Sequence, residues 1–162
     1  MKRGVGHFSR GFTLIELMVT LTVLGLLGTL AAPVVQVVVQ RRQEQQLRQA
    51  LHEVRQAIDT YKHAYDEGRI AKAVPGNGYP ATLEVLVEGV PDQRNPKRAK
   101  LYFLRRIPRD PFNGDSTLPA AKTWVLRSYA SDAADPREGD DVYDIASRSQ
   151  RIGLNDAPYR SW

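Results

Sequence analysis

Cysteine is absent from the 162 residues of this chain, and histidine occurs only three times. Without cysteine, the protein has no disulfide framework and no metal site built on thiolates. His52 and His63 lack the short-range spacing of paired metal ligands on a helix, and His7 lies near the start of the chain. A phosphate-binding loop and a nucleophile elbow are also missing from the sequence. These absences predict a protein that is not an enzyme.

The net charge gives little support to a nucleic-acid-binding function. The chain carries a net charge of +5, but Lys2, Arg3 and Arg10 all lie within residues 1–11. Removing those three charges from +5 leaves +2 for the remainder. A chain this weakly basic does not indicate a nucleic-acid partner by its bulk charge.

A long uncharged stretch follows these basic residues. Residues 12–39 contain a single charged side chain, Glu16. The stretch exceeds the roughly 20 residues that span a bilayer, and a carboxylate within it is costly unless it finds a partner. An ordinary signal peptide is the alternative, but it needs small residues at a cleavage site after its apolar core, and the proline of Ala31-Ala32-Pro33 suits that poorly. The stretch therefore predicts a membrane anchor with a functional acid.

The junction between the basic leader and the apolar stretch reads Gly-Phe-Thr-Leu-Ile-Glu at residues 11–16. It resembles the cleavage and methylation signal of type IV pilins and type II secretion pseudopilins. The resemblance implies that prepilin peptidase removes residues 1–11 after Gly11 and that Phe12 becomes an N-methylated N-terminus. It also implies that Glu16 pairs with the terminal amine of an adjoining subunit during assembly. The basic leader favours a cytoplasmic N-terminus.

One helix is predicted from Phe12 to about Tyr65, with a stop at Gly68. Its length would be roughly 80 Å. Residues 12–39 form the transmembrane and assembly half, and residues 40–66 form an amphipathic half that packs beneath a globular domain. The amphipathic half has an apolar stripe made of Leu47, Leu51, Val54, Ile58, Tyr61 and Tyr65 and a polar face made of Arg48, His52, Gln56, Asp59 and His63.

Pro33 interrupts the predicted helix. Its ring removes a backbone donor and crowds the preceding turn, so a kink or local melting is expected there. The pilin resemblance implies that the helix loosens around this proline as subunits leave the bilayer. A helix that is simply bent is the alternative.

Residues 67–162 are predicted to form a small globular domain. A short helix begins at Pro80 and ends at Gly89, and residues 101–107 suit either a helix or a strand. Residues 123–129 and 141–147 alternate like half-buried strands. The expected fold class is α+β and pilin-like, in which the long N-terminal helix packs against a small antiparallel sheet.

Several segments of this domain resemble the major pseudopilin of type II secretion. They are Gly78-Tyr79-Pro80, residues 107–112 (Ile-Pro-Arg-Asp-Pro-Phe), residues 141–144 (Asp-Val-Tyr-Asp) and residues 159–162 (Tyr-Arg-Ser-Trp). The absence of cysteine is consistent with this resemblance, because many type IV pilins close their C-terminal region with a disulfide. The alternatives are a minor pseudopilin, a type IV pilin that takes up DNA, and a stand-alone membrane-anchored receptor domain.

The resemblance implies a structural subunit of a periplasmic pseudopilus, assembled helically to help drive protein export across the outer membrane. Before assembly the subunit would be held in the inner membrane by a single pass, with its N-terminus in the cytoplasm and its globular domain in the periplasm. The implied partners are copies of itself, other pseudopilins, prepilin peptidase, the inner-membrane assembly platform and membrane lipid.

Major pseudopilins usually hold calcium in an acidic, glycine-rich loop, and residues 131–141 correspond to that loop. The candidate ligands are Asp132, Asp135, Asp140 and Asp141, because calcium takes six to eight oxygen ligands. Most of the expected glycines are missing, however, and Pro136 and Arg137 depart from the pattern. An ordinary acidic surface loop is therefore the alternative.

A basic cluster precedes the predicted strands, and DNA phosphates are one class of partner for it. Tyr102 and Phe103 offer few stacking surfaces for bases. The alternative is a surface that meets the acidic loop of a neighbouring subunit. The cluster comprises Arg94, Lys97, Arg98, Lys100, Arg105, Arg106 and Arg109.

Overall fold

The computed structural model describes residues 12–72, 76–132 and 135–162, and for residues 29–34 it describes the backbone alone. Contacts along the chain divide it into two units at the junction of Val39 and Gln40. The long helix α1 runs from Leu14 to Asp66. Gly11 and the leader lie outside the described residues, so the predicted cleavage site stays a prediction.

The ends of α1 agree with the sequence to within two residues. Gly68 follows the helix with φ of +73°, and its N–H donates to the carbonyl of Tyr65 at 2.9 Å. Arg69 N–H donates to the carbonyl of Ala64 at 2.9 Å, so a left-handed glycine satisfies the last carbonyls. The backbone is helical at Pro33 and on both sides of it. The kink predicted there stays a prediction.

The first unit has no apolar core of its own among the side chains described. Every described side chain between Phe12 and Val39 is exposed, and the large apolar ones range from 82% exposed at Leu14 to 40% at Val37. Within the described part of the chain, no helix combines the length and the apolarity needed to cross a membrane.

The second unit contains the hydrophobic core. The predicted stripe on α1 is buried as expected, except that Tyr65 is only partly buried, and the predicted polar face is exposed. Helix α2, Glu84–Glu88, ends at Gly89 and contributes the buried Leu86. Trp124 and Ile145 from the strands complete the packing against α1. The long side chains of one helical stripe thus hold the globular unit on α1.

Two small antiparallel ladders flank this core, and they confirm the predicted α+β fold class. Strand β1, Val90–Pro91, pairs with β2, Lys100–Leu101. Strand β3, Trp124–Arg127, pairs with β4, Asp144–Ser147, in a register that places Trp124 opposite Ser147. Both long strands predicted from the sequence are shorter in the structure.

The β3–β4 ladder ends where other partners take over its backbone groups. Ser128 N–H donates to the carbonyl of Arg137 at 2.9 Å, and Tyr129 N–H donates to the carboxylate of Asp141 at 2.8 Å. Beyond the ladder, the connecting loop is therefore held by one backbone bond and by the side chain of Asp141. Residues 101–107, which suited a helix or a strand, contribute only Leu101 to a strand.

Candidate functional site

Thr13 and Glu16 together form the start of α1. Glu16 N–H donates to the Thr13 hydroxyl oxygen at 3.3 Å, and Leu17 N–H donates to the Thr13 carbonyl at 3.2 Å. Threonine followed three residues later by glutamate is typical of a helix N-terminus, and an acid in the first turn interacts favourably with the helix dipole. The sequence prediction treated Glu16 only as an assembly residue and missed the role of Thr13 as a cap, although this spacing would have indicated it.

The Glu16 side chain is the one charged group among the apolar residues of this segment. It is exposed, as are its neighbours Ile15 and Leu17. Phe12, the predicted new N-terminus, is 77% exposed and lies one turn before Glu16. Within the residues that the structure describes, no cation forms an ion pair with the Glu16 carboxylate. The segment thus presents an acid and a large apolar surface, both available to a partner.

The four aspartates predicted as calcium ligands have separate surroundings. Asp135 forms an exposed ion pair with Arg137 at 2.6 Å. Asp141 accepts hydrogen bonds from the Asn77 amide at 2.6 Å and from Tyr129 N–H at 2.8 Å. Asp132 and Asp140 are exposed.

These surroundings do not fit a calcium ion. Across residues 12–72, 76–132 and 135–162, no group of three acidic or histidine side chains is placed to hold a metal. The Arg137 guanidinium competes for Asp135, and protein donors already occupy both oxygens of Asp141. Calcium binding therefore stays a prediction without support from this arrangement.

The predicted basic cluster is exposed at every one of its seven positions. The Arg109 guanidinium donates to the carbonyls of Leu118 and Asp115, and the Lys100 ammonium donates to the carbonyl of Glu88 at 3.0 Å. These bonds to carbonyls hold the loops together and make two of the cations structural. Tyr102 beside the cluster is 65% exposed.

Three carboxylates are buried in the described part of the second unit, and none was identified as important from the sequence. Asp92 is one of them and forms an ion pair with Arg69 at 2.7 Å. Asp110 is 1% exposed and accepts hydrogen bonds from Phe112 N–H at 2.8 Å and from the Ser147 hydroxyl at 2.6 Å. The bond from Phe112 N–H means that the Asp110 carboxylate caps its own turn. Ser147 lies on β4, so the carboxylate also ties the turn to the sheet.

Glu44 is the third buried carboxylate, and it joins α1 to residues 151–159. It is 6% exposed and accepts hydrogen bonds from the Tyr159 hydroxyl and from Leu154 N–H, each at 2.8 Å. Gln40, one turn earlier on α1, donates to the Tyr159 hydroxyl oxygen at 2.9 Å. Burial raises the pKa of the Tyr159 phenol above its ordinary value.

Arg55 provides a further connection between α1 and the last residues described. Its guanidinium forms an ion pair with Asp144 at 2.7 Å and donates to the carbonyl oxygen of Trp162 at 2.7 Å. Arg48 lies over the Trp162 ring at 4.5 Å from the ring centroid. The sequence placed Arg48 on a solvated polar face, and its partner on a distant segment gave no local signal.

Comparison with known proteins supports the predicted processing signal. The protein family described as the prokaryotic N-terminal methylation motif matches residues 7–32. That range includes the Gly11–Phe12 junction, the Thr13 cap and Glu16. No solved structure gives a significant match to the chain.

Three curated relatives share the same name, type II secretion system core protein G. The protein from Klebsiella michiganensis is 30% identical over 113 residues, which cover 67% of this chain and 72% of that protein. The one from Pectobacterium carotovorum subsp. carotovorum is 30% identical over 117 residues, covering 70% of this chain and 68% of the relative. The one from Klebsiella pneumoniae is 31% identical over 113 residues, covering 67% and 73%.

These matches extend well beyond the methylation motif, because a stretch of residues 7–32 is too short to account for them. They confirm the resemblance to the major pseudopilin that the sequence predicted. With its N-terminal methylation motif and its α+β unit built on one long helix, the chain belongs to the family of type II secretion system core protein G.

Proposed function

We propose that this chain is a structural subunit of the type II secretion pseudopilus, held in the inner membrane before it is assembled. Prepilin peptidase cleaves the precursor after Gly11, and the new N-terminal amine of Phe12 is methylated. Copies of the chain then assemble helically with other pseudopilins on an inner-membrane platform and help to drive export across the outer membrane. The chain has a structural role and no catalytic one.

The observation that carries this proposal is the exposed apolar half of α1. Large apolar side chains from Phe12 to Val39 are 40–82% exposed in the single chain, where their positions are described. A contiguous apolar surface of this kind requires an apolar partner. Lipid provides that partner before assembly, and the same segment of neighbouring copies provides it in the filament.

Glu16 provides the register for assembly in this proposal. A carboxylate surrounded by apolar side chains is costly in lipid unless a cation neutralises it. The amine of Phe12 on an adjoining copy is a suitable cation, and a charge-assisted hydrogen bond between the two is stronger than a neutral one. The Thr13 cap fixes the first turn of α1, so the carboxylate is held at a defined position relative to Phe12.

The three positive charges of the leader support the proposed orientation. Lys2, Arg3 and Arg10 all precede the apolar stretch, and positively charged flanks are retained in the cytoplasm. The unit from Gln40 to Trp162 then lies in the periplasm. Arg41 and Arg42 at the other end of the stretch oppose this orientation mildly, and Glu44 follows them closely in the sequence.

Mass spectrometry of the membrane-extracted protein tests the processing. We expect a chain that begins at N-methylated Phe12. The Gly11→Val variant should remain uncleaved, because a bulky side chain obstructs a site fitted to glycine, whereas Gly6→Val within the same leader should be processed normally. Detection of intact Met1 in the unmodified protein, or of a chain that begins near Pro33, would contradict the proposal.

A further inference from the structure

Residues 151–159 form a closely held loop on the first turns of α1 in the second unit. Leu154 N–H donates to the Glu44 carboxylate at 2.8 Å, and the Gln40 amide donates to the carbonyl of Ile152 at 3.4 Å. Tyr159 supports both contacts, because its hydroxyl accepts a hydrogen bond from the Gln40 amide and donates one to the Glu44 oxygen that also receives Leu154 N–H. A buried carboxylate thus holds the backbone of this loop against α1.

The loop is also held internally. Gly153 N–H donates to the carbonyl of Ala157 at 2.9 Å, and Tyr159 N–H donates to the carbonyl of Arg151 at 3.1 Å. A side chain at Gly153 would place its Cβ 2.7 Å from the Trp162 ring, which is closer than Cβ atoms approach other atoms. Glycine is therefore required at this position by the packing.

Two apolar side chains of this loop are exposed, whereas Tyr159 at its end is buried. Ile152 is 60% exposed and Leu154 is 43% exposed, although their backbones are fixed by the bonds to Gln40 and Glu44. Arg151 in the loop and Arg41 and Arg42 on α1 are exposed as well. Asp156 is the exposed acid of the loop. Two exposed apolar side chains of the loop and three exposed arginines thus occur on the loop and on the helical turn that binds it, and this composition is typical of contact with an anionic membrane surface.

The position of this loop along α1 indicates where such a membrane would be. Gln40 is the residue that follows Val39, the last residue of the uncharged stretch. Gln40 and Glu44 are separated by a helical rise of about 6 Å, which is comparable with the depth to which interfacial side chains enter a bilayer. The loop is thus bound by the first residues of the second unit, which directly follow the uncharged stretch in the sequence.

We propose that Ile152 and Leu154 insert into the headgroup region of an anionic phospholipid bilayer while the subunit is stored in the membrane. Arg41, Arg42 and Arg151 contact the lipid phosphates in this arrangement. The inference rests on the proposed membrane anchoring and adds a second contact, made by the globular unit itself. That contact fixes how the unit stands on the membrane before assembly.

The absence of cysteine allows a direct test on the full chain. The Ile152→Cys and Leu154→Cys variants are labelled with an environment-sensitive fluorophore and reconstituted in vesicles of phosphatidylglycerol and phosphatidylethanolamine. We expect blue-shifted emission and strong quenching by lipids that carry a nitroxide near the headgroup. Thermal unfolding of each labelled variant checks that its fold is retained.

Tyr129→Cys is the matched control within the same unit. Tyr129 is 59% exposed, much like Ile152. Its ring stacks on that of Tyr79, and the Tyr79 ring lies 5.7 Å from the Lys62 ammonium. Lys62 lies roughly 27 Å farther along α1 than Glu44, which binds the loop. A label at residue 129 should therefore remain in water, with several-fold weaker quenching than a label at residue 152.

A label at Val23→Cys, within the apolar stretch, separates the two proposals. If a nitroxide deep in the bilayer fails to quench it, the membrane anchoring is wrong. If it is quenched while the labels at residues 152 and 154 behave like the one at residue 129, anchoring holds and this inference is overturned. A third outcome is a blue shift at residue 152 that depends on the protein-to-lipid ratio and occurs without quenching by lipid nitroxides. That result would identify a second copy of the chain as the partner and would also overturn this inference.

The arginines provide an independent test of the lipid chemistry. In the double variant Arg41→Gln with Arg42→Gln, a label at residue 152 should lose most of its quenching. The labelled protein that keeps both arginines should lose it equally in vesicles made only of zwitterionic lipid. An anionic surface contributes about 1 kcal/mol for each basic residue near it, so each lost arginine should weaken the contact about fivefold. Quenching that is unchanged in both experiments would contradict the proposed phosphate contacts.

Discussion

Tyr159 connects two polar side chains of α1 to the loop that follows β4, and its phenol is fully buried. Burial raises the pKa of Tyr159 above its ordinary value of 10.0, and the hydrogen bond to the Glu44 carboxylate acts in the same direction. The folded chain therefore keeps this proton at a pH where the unfolded chain has begun to lose it. The stabilisation is complete below about pH 10 and declines as the pH rises toward the folded-state pKa.

The Tyr159→Phe variant tests this linkage. It should be less stable than the unmodified protein at neutral pH, because Gln40 and Glu44 lose a buried partner. Above about pH 10 the difference in melting temperature should narrow, because phenylalanine has no proton to lose. Burial also raises the pKa of Tyr61 and Tyr79, and both remain in the variant, so the comparison isolates Tyr159. A difference that is constant from neutral to alkaline pH would contradict the role of this phenol.

At the scale of elements, the end of α1 depends on a backbone conformation that favours glycine. Gly68 has φ of +73° and no atom within 4 Å of the position that a Cβ would occupy. The Gly68→Ala variant should therefore lose about 1 kcal/mol of stability through backbone strain alone. Gly114→Ala is the matched control, since that position is equally open and has no positive φ. Urea unfolding of both variants measures the difference, and equal stabilities would contradict the strain argument.

The loop between β3 and β4 tests the calcium prediction. Asp135 pairs with Arg137, and Asp141 binds protein donors, so we expect the full chain in detergent to melt at the same temperature in chelator and in millimolar calcium. Ligand binding to the folded state alone adds about 2.7 kcal/mol at a hundredfold excess over Kd. A calcium-dependent rise that is lost in Asp140→Ala with Asp141→Ala would show that the loop rearranges around the ion.

The elements differed in how well their sequences predicted them. Helix α1 could be predicted because its apolar stripe, from Leu47 to Tyr65, repeats the helical period over about five turns. Strands β1 and β2 were missed because two residues each give no alternation to recognise. The contacts of Glu44 with Leu154 and Tyr159 join residues more than a hundred positions apart, and no local pattern in the sequence encodes such a contact.

At the scale of the whole molecule, a change at Glu16 is expected to affect assembly and not processing. The Glu16→Ala variant should still be cleaved after Gly11, because the carboxylate lies beyond the junction, but it should form far fewer pseudopili. Thr13→Ala is the control for an effect on the helix itself, since it removes the cap that accepts the Glu16 N–H and leaves the charge in place. Electron microscopy of sheared filaments and mass spectrometry of the subunits provide the two measurements. Normal pseudopili from Glu16→Ala would show that the charge is dispensable.

The bonds of Glu44 and Gln40 also have a consequence for the time at which the globular unit can fold. The partners in these bonds are 110 to 119 residues apart in the chain, and contacts of such high sequence separation form slowly because a long loop must close first. The α1 surface that receives residues 151–159 is made more than a hundred residues before that loop. The bonds to Gln40 and Glu44 therefore form only after residue 159 has been made, so the unit remains open on this side of α1 while the intervening residues are still being synthesised.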